Sequence, residues 1–401
     1  MGYTAVRTPF CQGTQKVWNK TPRNGTPRAH HGASPRHRPA IRPPYSPHRR
    51  GADSAVKAAI YREYRGAVLV ENLPDPEPAP DGVVLRVEAN GICRSDWHGW
   101  VGHDPDIVLP HVPGHEIAGV VEEVGREVTR WRPGDRVSVP FIAGCGRCMP
   151  CRAGNQQVCD RQFQPGFHGW GGFAERVGLR QADLTLAALP DRVGFVAAAS
   201  LGCRFATSFR AVQAQGRVTA GDWVAIHGCG GVGLAAVMIA RALGARVVAV
   251  DIRTEALAMA VDLGAAAAVN ASASPDVAAE VREITEGGAH ASLDALGHPD
   301  TCFNSVACLR KRGRHVQVGL MTGDHTSAPV PMDRVIAWEL EMVGSHGLQA
   351  HEYDRMLRLV ESGAVDPGRL VTQTVSLEEG VDILTGMDDY TVLGVAVINR
   401  F

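Results

Sequence analysis

Four cysteines fall within one short stretch and have the spacing of metal ligands. They follow the pattern Cys-x2-Cys-x2-Cys-x7-Cys, at Cys145, Cys148, Cys151 and Cys159. Four thiolates complete a tetrahedral shell around zinc and leave no open position, which is typical of a structural site. Such clustering in a large chain favours metal ligation over a disulfide framework and predicts a reducing compartment, the cytoplasm. An iron–sulfur cluster is the chemical alternative, because it also binds four thiolates.

A glycine-rich loop predicts a dinucleotide site. The segment from Gly228 to Gly233 reads Gly-Cys-Gly-Gly-Val-Gly and fits G-x-G-x-x-G. It follows an apolar run at 222–227 and opens an alanine-rich helix predicted over 234–243, and the next strand ends at Asp251. This order of strand, loop, helix, strand and carboxylate is the context that a dinucleotide-binding loop requires.

Each part of the loop has a separate physical task. Gly228 permits the tight turn, Gly230 lets the backbone approach a pyrophosphate, and Gly233 lets the helix and strand pack closely. The helix N-terminus offers unpaired N–H groups to the anion, so Gly231 and Val232 are also candidate cofactor residues.

The acidic residue after the second strand bears on cofactor choice. A carboxylate at Asp251 would accept hydrogen bonds from the ribose hydroxyls and repel a 2′-phosphate, which favours NAD over NADP. Arg253 works against that preference, because an arginine near this position can accommodate the 2′-phosphate.

A second set of candidate ligands is dispersed along the chain. Cys93 and His115 each have a carboxylate nearby in sequence, and Cys203 follows in Leu201-Gly-Cys-Arg-Phe-Ala-Thr207. Taken singly, Cys203 or His115 would more often be a buried structural residue. Two thiolates and one imidazole with one open position would together make a catalytic zinc site.

The predicted elements that must position these residues follow two patterns along the chain. Up to about residue 190 the chain consists of short strand-like runs separated by Gly, Pro and Asp turns. From residue 222 strands alternate with helical segments, and an amphipathic helix is predicted over 352–361. The pattern predicts an α/β protein: a β-rich part, then a doubly wound parallel sheet with helices on both faces.

Composition narrows the function classes. The 401 residues are 45% hydrophobic and 21% charged, as in ordinary globular proteins, and no apolar run is long enough for a membrane span. Residues 1–52 hold ten Lys or Arg and no acidic residue; without those charges the formal net charge of −1 becomes about −11. The acidic remainder of the chain gives no sign of the basic surface that binds nucleic acid.

The basic N-terminal segment, residues 1–55, is rich in proline and should be disordered. A transit peptide would be Arg-rich and acid-poor but also amphipathic, with few prolines. A nucleic-acid-binding tail fits the charge alone. We favour a third interpretation, an over-extended translation start with the natural beginning near Val56.

From Lys57 to the C-terminus the chain resembles the zinc-containing medium-chain alcohol dehydrogenases. Five motifs match in the order of the family: Gly91-Ile-Cys-Arg-Ser-Asp96, Gly114-His-Glu116, the four-cysteine segment, Leu201-Gly-Cys203 and the glycine loop. The resemblance implies a GroES-like β-rich catalytic domain around a Rossmann domain, with the active site in the cleft. The domains would span 56–205 (catalytic), 206–344 (NAD-binding) and 345–401 (return to the catalytic domain).

The resemblance also implies roles. Cys93, His115 and Cys203 match the catalytic zinc ligands. Glu116 matches a carboxylate close to the metal, and Asp96 matches a partner that orients the ligand histidine. Ser95 and His98 match a proton relay, Arg94 and Thr207 match cofactor contacts, and Phe141 matches a pocket wall that Trp97 and Trp100 would narrow. The implied cofactors are two zinc ions per subunit and NAD.

Two positions separate this chain from other members. Family members often carry an arginine after the last glycine that binds pyrophosphate, but here Val395 follows Gly394. Polyol dehydrogenases tend to have a carboxylate at the place of Cys203, so the cysteine favours small alcohols.

The resulting hypothesis is a small-alcohol dehydrogenase that forms a homo-oligomer, a dimer or tetramer, and binds neither nucleic acid nor membranes. The alternatives are a polyol dehydrogenase, an NADPH-dependent aldehyde reductase, and a non-catalytic nucleotide-binding relative. The last is disfavoured because ligands, relay and glycine loop are all present.

Overall fold

The structure of the chain, a computed structural model, describes residues 55–322, 325–389 and 392–401. The basic segment predicted to be disordered therefore lies outside the described residues, apart from its last position. Among the described helices, none is both long enough and apolar enough to cross a membrane.

The secondary structure follows the two predicted patterns, a β-rich part first and alternating strands and helices after it. The strands are β1 (Ala55–Tyr61), β2 (Val68–Pro74), β3 (Val83–Ile92), β4 (Glu116–Val124), β5 (Arg136–Ser138), β6 (Arg176–Leu179), β7 (Ala187–Ala188), β8 (Trp223–His227), β9 (Arg246–Asp251), β10 (Ala267–Asn270), β11 (Ala289–Asp294), β12 (Leu309–Gln317), β13 (Glu341–Gly344), β14 (Val371–Ser376) and β15 (Val395–Arg400). The α-helices are α1 (Arg94–Trp100), α2 (Met149–Arg152), α3 (Ala182–Thr185), α4 (Phe195–Ala199), α5 (Ala206–Phe209), α6 (Gly231–Ala242), α7 (Thr254–Asp262), α8 (Val277–Ile284), α9 (Pro299–Ala307), α10 (Met332–Ala337), α11 (Tyr353–Glu361) and α12 (Leu377–Thr385).

A six-stranded parallel sheet has the order β10-β9-β8-β11-β12-β13. Successive residues of a strand point to opposite faces, so Val224 and Ile226 enter one apolar core and Ala225 enters the other. Both faces are covered, as an all-parallel sheet requires. Because β8 and β11 are neighbours that begin the two halves of the sheet, a crevice for a nucleotide would lie beside the end of β8.

A second sheet has seven strands, in the order β14-β15-β3-β4-β5-β7, and β6 pairs with β3. Its pairs are antiparallel except for β14 and β15. β14 and β15 come after the parallel sheet in sequence, so the chain returns to the seven-stranded sheet at its end. The predicted α/β fold with a GroES-like part and a Rossmann part is confirmed, whereas the domain boundaries stay predictions.

One buried histidine of the parallel sheet is expected to make the stability of the chain depend on pH. His227, the last residue of β8, is 1% exposed, and its Nε2 lies 3.6 Å from the Sγ of Cys308. Burial, with a smaller contribution from the charge of His315, lowers the pKa of His227 to about 3. The folded chain therefore keeps this imidazole neutral where the unfolded chain would protonate it.

We predict that His227 lowers stability as the pH falls. Below about pH 6.5 the unfolded chain takes up a proton that the folded chain refuses, so the free energy of unfolding should fall by about 1.4 kcal/mol per pH unit. Urea unfolding at pH 6.5 and pH 5 measures this. The loss should be smaller by about 1–2 kcal/mol in His227→Gln. His351→Gln, at an exposed histidine, is the control. Equal pH slopes in wild type and His227→Gln would contradict the prediction.

Candidate functional site

Strand register brings the first two candidate ligands together. β3 and β4 are antiparallel, and Gly91 pairs with Glu116. Cys93 follows the end of β3 and His115 precedes the start of β4, so both lie at the same edge of the sheet. Two residues far apart in sequence become neighbours because the main-chain hydrogen bonds of one strand pair fix their positions.

The third candidate ligand comes from a short π-helical turn at Leu201–Phe205, which contains Cys203. Such wide turns are uncommon and frequently occur at functional sites. The hydroxyl of Tyr353 donates to the carbonyls of Leu201 and Gly202 at 3.2 Å, and the N–H of Phe141 also donates to Gly202. These contacts hold the turn beside His115.

The ligand atoms of Cys93, His115 and Cys203 all lie within 4.8 Å of one another. His115 is fully buried, and its Nε2 has no hydrogen-bond partner in the described structure. A buried polar atom without a partner is costly, and two nearby sulfurs cannot stabilise it well on their own. A metal ion would satisfy this nitrogen, and two thiolates with one imidazole are a donor set that suits zinc. The residues present therefore fit a zinc ion.

Asp96 fixes the orientation of the imidazole. Its Oδ1 accepts from Nδ1 of His115 at 2.7 Å, which leaves Nε2 directed at the sulfurs. The same carboxylate accepts from the backbone N–H groups of Gly114 and Cys93, each at 3.0 Å. A carboxylate behind a ligand histidine is the usual arrangement in metal sites.

The two sulfurs of this cluster shift each other's pKa in opposite directions. A hydrogen bond between the side chains of Cys93 and Cys203, assisted by the charge of Arg204, lowers the pKa of Cys93 well below its usual value despite burial. The same hydrogen bond, together with burial, raises the pKa of Cys203. Thiolate character, which metal ligation requires, is therefore favoured at Cys93.

The four-cysteine segment forms a separate cluster whose sulfurs all lie within 4.8 Å of one another. Metal–sulfur bonds of about 2.3 Å in a tetrahedron place sulfurs about 3.8 Å apart. The Sγ atoms of Cys148 and Cys159 are separated by 3.6 Å. The Sγ of Cys159 also accepts from the N–H groups of Cys145 and Arg161. Gly146 allows the tight loop, because its φ of +68° is one that glycine adopts without strain.

Aromatic rings surround His115. Phe141 lies edge-on with its ring centroid at 6.0 Å, and Phe167 lies at 4.9 Å. Phe141 was predicted as a pocket wall, whereas Phe167 was missed because it occurs in a loop without a motif. The indole N–H of Trp100 donates to the carbonyl of Gly66, and Trp97 and Trp100 lie in the apolar cluster around β1.

The predicted relay residues lie on α1. Ser95 and His98 are three residues apart, which places them on one helix face, and both are half-buried. Nδ1 of His98 lies 3.0 Å from Nδ1 of His103. Burial, with the charges of Arg94 and His103, lowers the pKa of His98 to about 4. His98 is therefore neutral near pH 7 and can accept a proton.

Two other predicted residues have mainly structural contacts in the structure. Arg94 lies with its guanidinium 3.7 Å from the centroid of the Trp97 ring and donates to the carbonyl of Met387. Thr207 is buried in α5, which packs against α6. A cofactor contact by either side chain stays a prediction.

The glycine loop has the geometry of a close approach. Gly228 has a φ of +93°. A Cβ at Gly233 would lie 1.8 Å from the carbonyl oxygen of Gly228, whereas a Cβ at Gly230 would meet no atom within 4 Å. The loop is therefore tightly packed against the protein at Gly233 and open at Gly230, where a ligand would approach the backbone.

Asp251 lies directly beside this loop. Its Oδ2 accepts from the N–H of Cys229 at 2.7 Å, and its Oδ1 accepts from the N–H of Arg253 at 2.9 Å. Nε of Arg253 is 3.7 Å from Oδ1 of Asp251. The carboxylate predicted to bind ribose is thus anchored by the backbone at the end of β9.

Comparison with known proteins agrees with this geometry. Residues 79–191 match the alcohol dehydrogenase GroES-like domain, and residues 231–362 match the zinc-binding dehydrogenase family. An NAD-dependent alcohol dehydrogenase of Sulfurisphaera tokodaii is 34% identical over 82% of this chain and 95% of its own length.

Solved structures are similar over nearly their whole length. An alcohol dehydrogenase from Thermus sp. ATN1 has a TM-score of 0.79 at 30% identity, covering 86% of this chain and 100% of that one. A zinc-binding dehydrogenase from Sinorhizobium meliloti 1021, solved with NADP, has a TM-score of 0.78 at 28% identity with the same coverage.

The two loop glycines provide a matched pair of variants. Gly233→Ala should destabilise the chain by about 1–3 kcal/mol, because its new methyl group would overlap a backbone oxygen. Gly230→Ala should change stability by less than about 0.5 kcal/mol yet weaken NADH binding, because its methyl group would enter the open space. Thermal unfolding and NADH fluorescence titration measure the two effects. Wild-type NADH affinity in Gly230→Ala would contradict this view of the loop.

Proposed function

The chain belongs to the zinc-containing medium-chain alcohol dehydrogenase family, and on this premise we propose that it interconverts small alcohols and their aldehydes or ketones by hydride transfer to NAD. The observation that carries the proposal is the convergence of Cys93, Cys203 and the unpartnered Nε2 of His115. These three would hold a catalytic zinc with one position left for substrate, and the four-cysteine cluster would hold a structural zinc.

The protein groups prepare the reacting centre. Zinc, when bound, would supply Lewis acidity that makes an alcohol hydroxyl acidic near neutral pH, and NAD would accept the hydride. Asp96 keeps Nδ1 of His115 protonated and Nε2 free for ligation. The rings of Phe141 and Phe167 pack against His115 and would limit water there, which would strengthen electrostatic interactions in the site.

The proton released from the alcohol needs a path to solvent. Ser95 would pass it on, and His98, half-buried on the same helix face, would receive it. The lowered pKa of His98 keeps the imidazole neutral near pH 7, so it would hold the proton only briefly before releasing it to water.

NAD is the proposed cofactor because Asp251 is fixed beside the glycine loop. Its carboxylate would accept hydrogen bonds from the ribose hydroxyls, and it would repel a 2′-phosphate. The neighbouring Arg253 reduces this repulsion without removing it, since Asp251 also stays bonded to two backbone N–H groups.

Small alcohols are the proposed substrates. With zinc bound, Cys203 would contribute a thiolate where polyol dehydrogenases tend to have a carboxylate, and aromatic rings lie next to His115. Such a wall favours apolar substituents over sugar hydroxyls, because burying a hydroxyl without a partner is costly. Turnover of ethanol, benzyl alcohol, butan-2-ol and sorbitol, measured side by side, would test this preference.

A variant that lacks one catalytic zinc ligand should lose activity while it keeps the structural zinc ion. The purified wild type should contain two zinc ions per chain. Cys93→Ala should keep one zinc ion and lose more than about 100-fold in kcat. Removing a residue that only supports a metal ligand already costs about 10- to 100-fold in activity, and removing the ligand itself should cost more. Its unfolding midpoint should stay near that of the wild type. Elemental analysis, alcohol oxidation and thermal unfolding measure these changes.

The control is Cys302→Ala, which removes a buried cysteine of α9 outside both clusters and should retain both zinc ions. A purified wild type that oxidises alcohols without zinc would contradict the proposal.

Cofactor preference should depend on Asp251. The wild type should bind NADH more tightly than NADPH, and Asp251→Asn should reduce that preference by about 10-fold, the equivalent of about 1.4 kcal/mol. Fluorescence titration with both cofactors measures the ratio. Glu255→Gln removes an exposed carboxylate in the following helix and should leave the ratio unchanged. An unchanged ratio in Asp251→Asn would mean that another residue selects the cofactor.

A further inference from the structure

Arg204 is a buried cation in the middle of the proposed site. It follows Cys203 in the π-helical turn and is 7% exposed. Its partner is Glu116, which is fully buried next to His115. The backbone N–H and Nε of Arg204 donate to Oε1 at 3.0 and 2.9 Å, and Nη2 donates to Oε2. One edge of the guanidinium is therefore occupied by Glu116.

The other edge faces the glycine loop. Within the described residues, Nη1 of Arg204 has no hydrogen-bond acceptor. A Cβ built on Gly231 would lie 2.5 Å from Cδ of Arg204 and 3.3 Å from Nη1. Gly231 is the first residue of α6, a twelve-residue helix. The free edge of the cation thus lies where the helix N–H groups and dipole favour an anion.

The usual cation of this family is missing from the C-terminal segment. The resemblance predicts an arginine after the last glycine, but Val395 is there, fully buried in the main apolar core. A buried valine cannot bind a phosphate, so a dinucleotide at this loop would lack that contact.

We propose that Arg204 supplies the missing cationic contact, with Nη1 donating to the pyrophosphate of the dinucleotide while Glu116 holds the opposite edge. The inference rests on the proposed function. A planar guanidinium suits this task, because it can donate from two edges at once. Glu116 is then a positioning residue that keeps Arg204 extended toward Gly231.

The test compares a ligand that has a pyrophosphate with one that has none. Isothermal titration calorimetry with ADP-ribose and with adenosine would be applied to the full chain and to Arg204→Gln/Glu116→Gln. The double variant leaves no isolated buried charge. ADP-ribose affinity should fall roughly 10- to 100-fold, as expected for a charge-assisted hydrogen bond. Adenosine affinity should stay within about twofold of wild type.

Two further variants keep the test decisive. Arg210→Gln removes a nearby arginine that donates to Gln349, and it should leave both affinities unchanged. If the double variant does not fold, Arg204→Lys replaces it. A lysine ammonium cannot serve Glu116 and a phosphate from separate planar edges, so ADP-ribose affinity alone should fall. Thermal unfolding checks each variant.

The outcomes are distinguishable. Wild-type ADP-ribose affinity in a folded Arg204 variant overturns the role of Arg204 and leaves the proposed function standing. Equal losses for ADP-ribose and adenosine also overturn it, because the ion pair would then only shape the fold. Failure of the wild type to bind ADP-ribose at all overturns both.

Discussion

The buried carboxylate of Asp96 is the constraint on which the site depends. It is 1% exposed and accepts hydrogen bonds from Nδ1 of His115 and from the backbone N–H groups of Cys93 and Gly114. An isolated buried carboxylate would be costly, so these three donors and the carboxylate stabilise one another. The result is that the segment leaving β3 and the segment entering β4, at the same end of this strand pair, present a sulfur and an imidazole nitrogen at one point.

The rest of the architecture brings the cofactor loop to that point. The π-helical turn positions Cys203 in the cluster of candidate zinc ligands. Arg204, the next residue of the same turn, lies beside Gly231. The ion pair of Arg204 with Glu116 therefore connects the strand that follows His115 with the turn that follows α4. In this arrangement one short turn contributes to both the proposed zinc site and the proposed pyrophosphate site.

Local patterns in the sequence predicted much of this organisation. Alternating apolar runs and a glycine cluster predicted the parallel sheet and its nucleotide-binding end, because those signals are periodic or depend on backbone conformation. Cysteine spacing likewise indicated the closed cluster, since one loop carries all its ligands. The dispersed ligands were assembled only through family resemblance, because strand register is not visible in a single sequence.

Contacts between distant loops were beyond reach from sequence. Phe167 packs on His115 from a segment without a motif, and Tyr353 holds the turn of Cys203 from 150 residues further along the chain. Arg204 belongs to the motif that follows Leu201 in the sequence, but its pairing with Glu116 depends on where the turn and β4 meet in space. Such contacts are products of tertiary packing, for which a local pattern gives no signal.

The most direct measurement is anomalous X-ray diffraction at the zinc absorption edge from crystals of the full chain. Two peaks per chain are expected. One should lie among the four clustered cysteines, and the other about 2.0–2.3 Å from the Sγ atoms of Cys93 and Cys203 and from Nε2 of His115. A single peak among the four cysteines, with Cys93 and Cys203 joined as a disulfide, would contradict a zinc site at Cys93, His115 and Cys203.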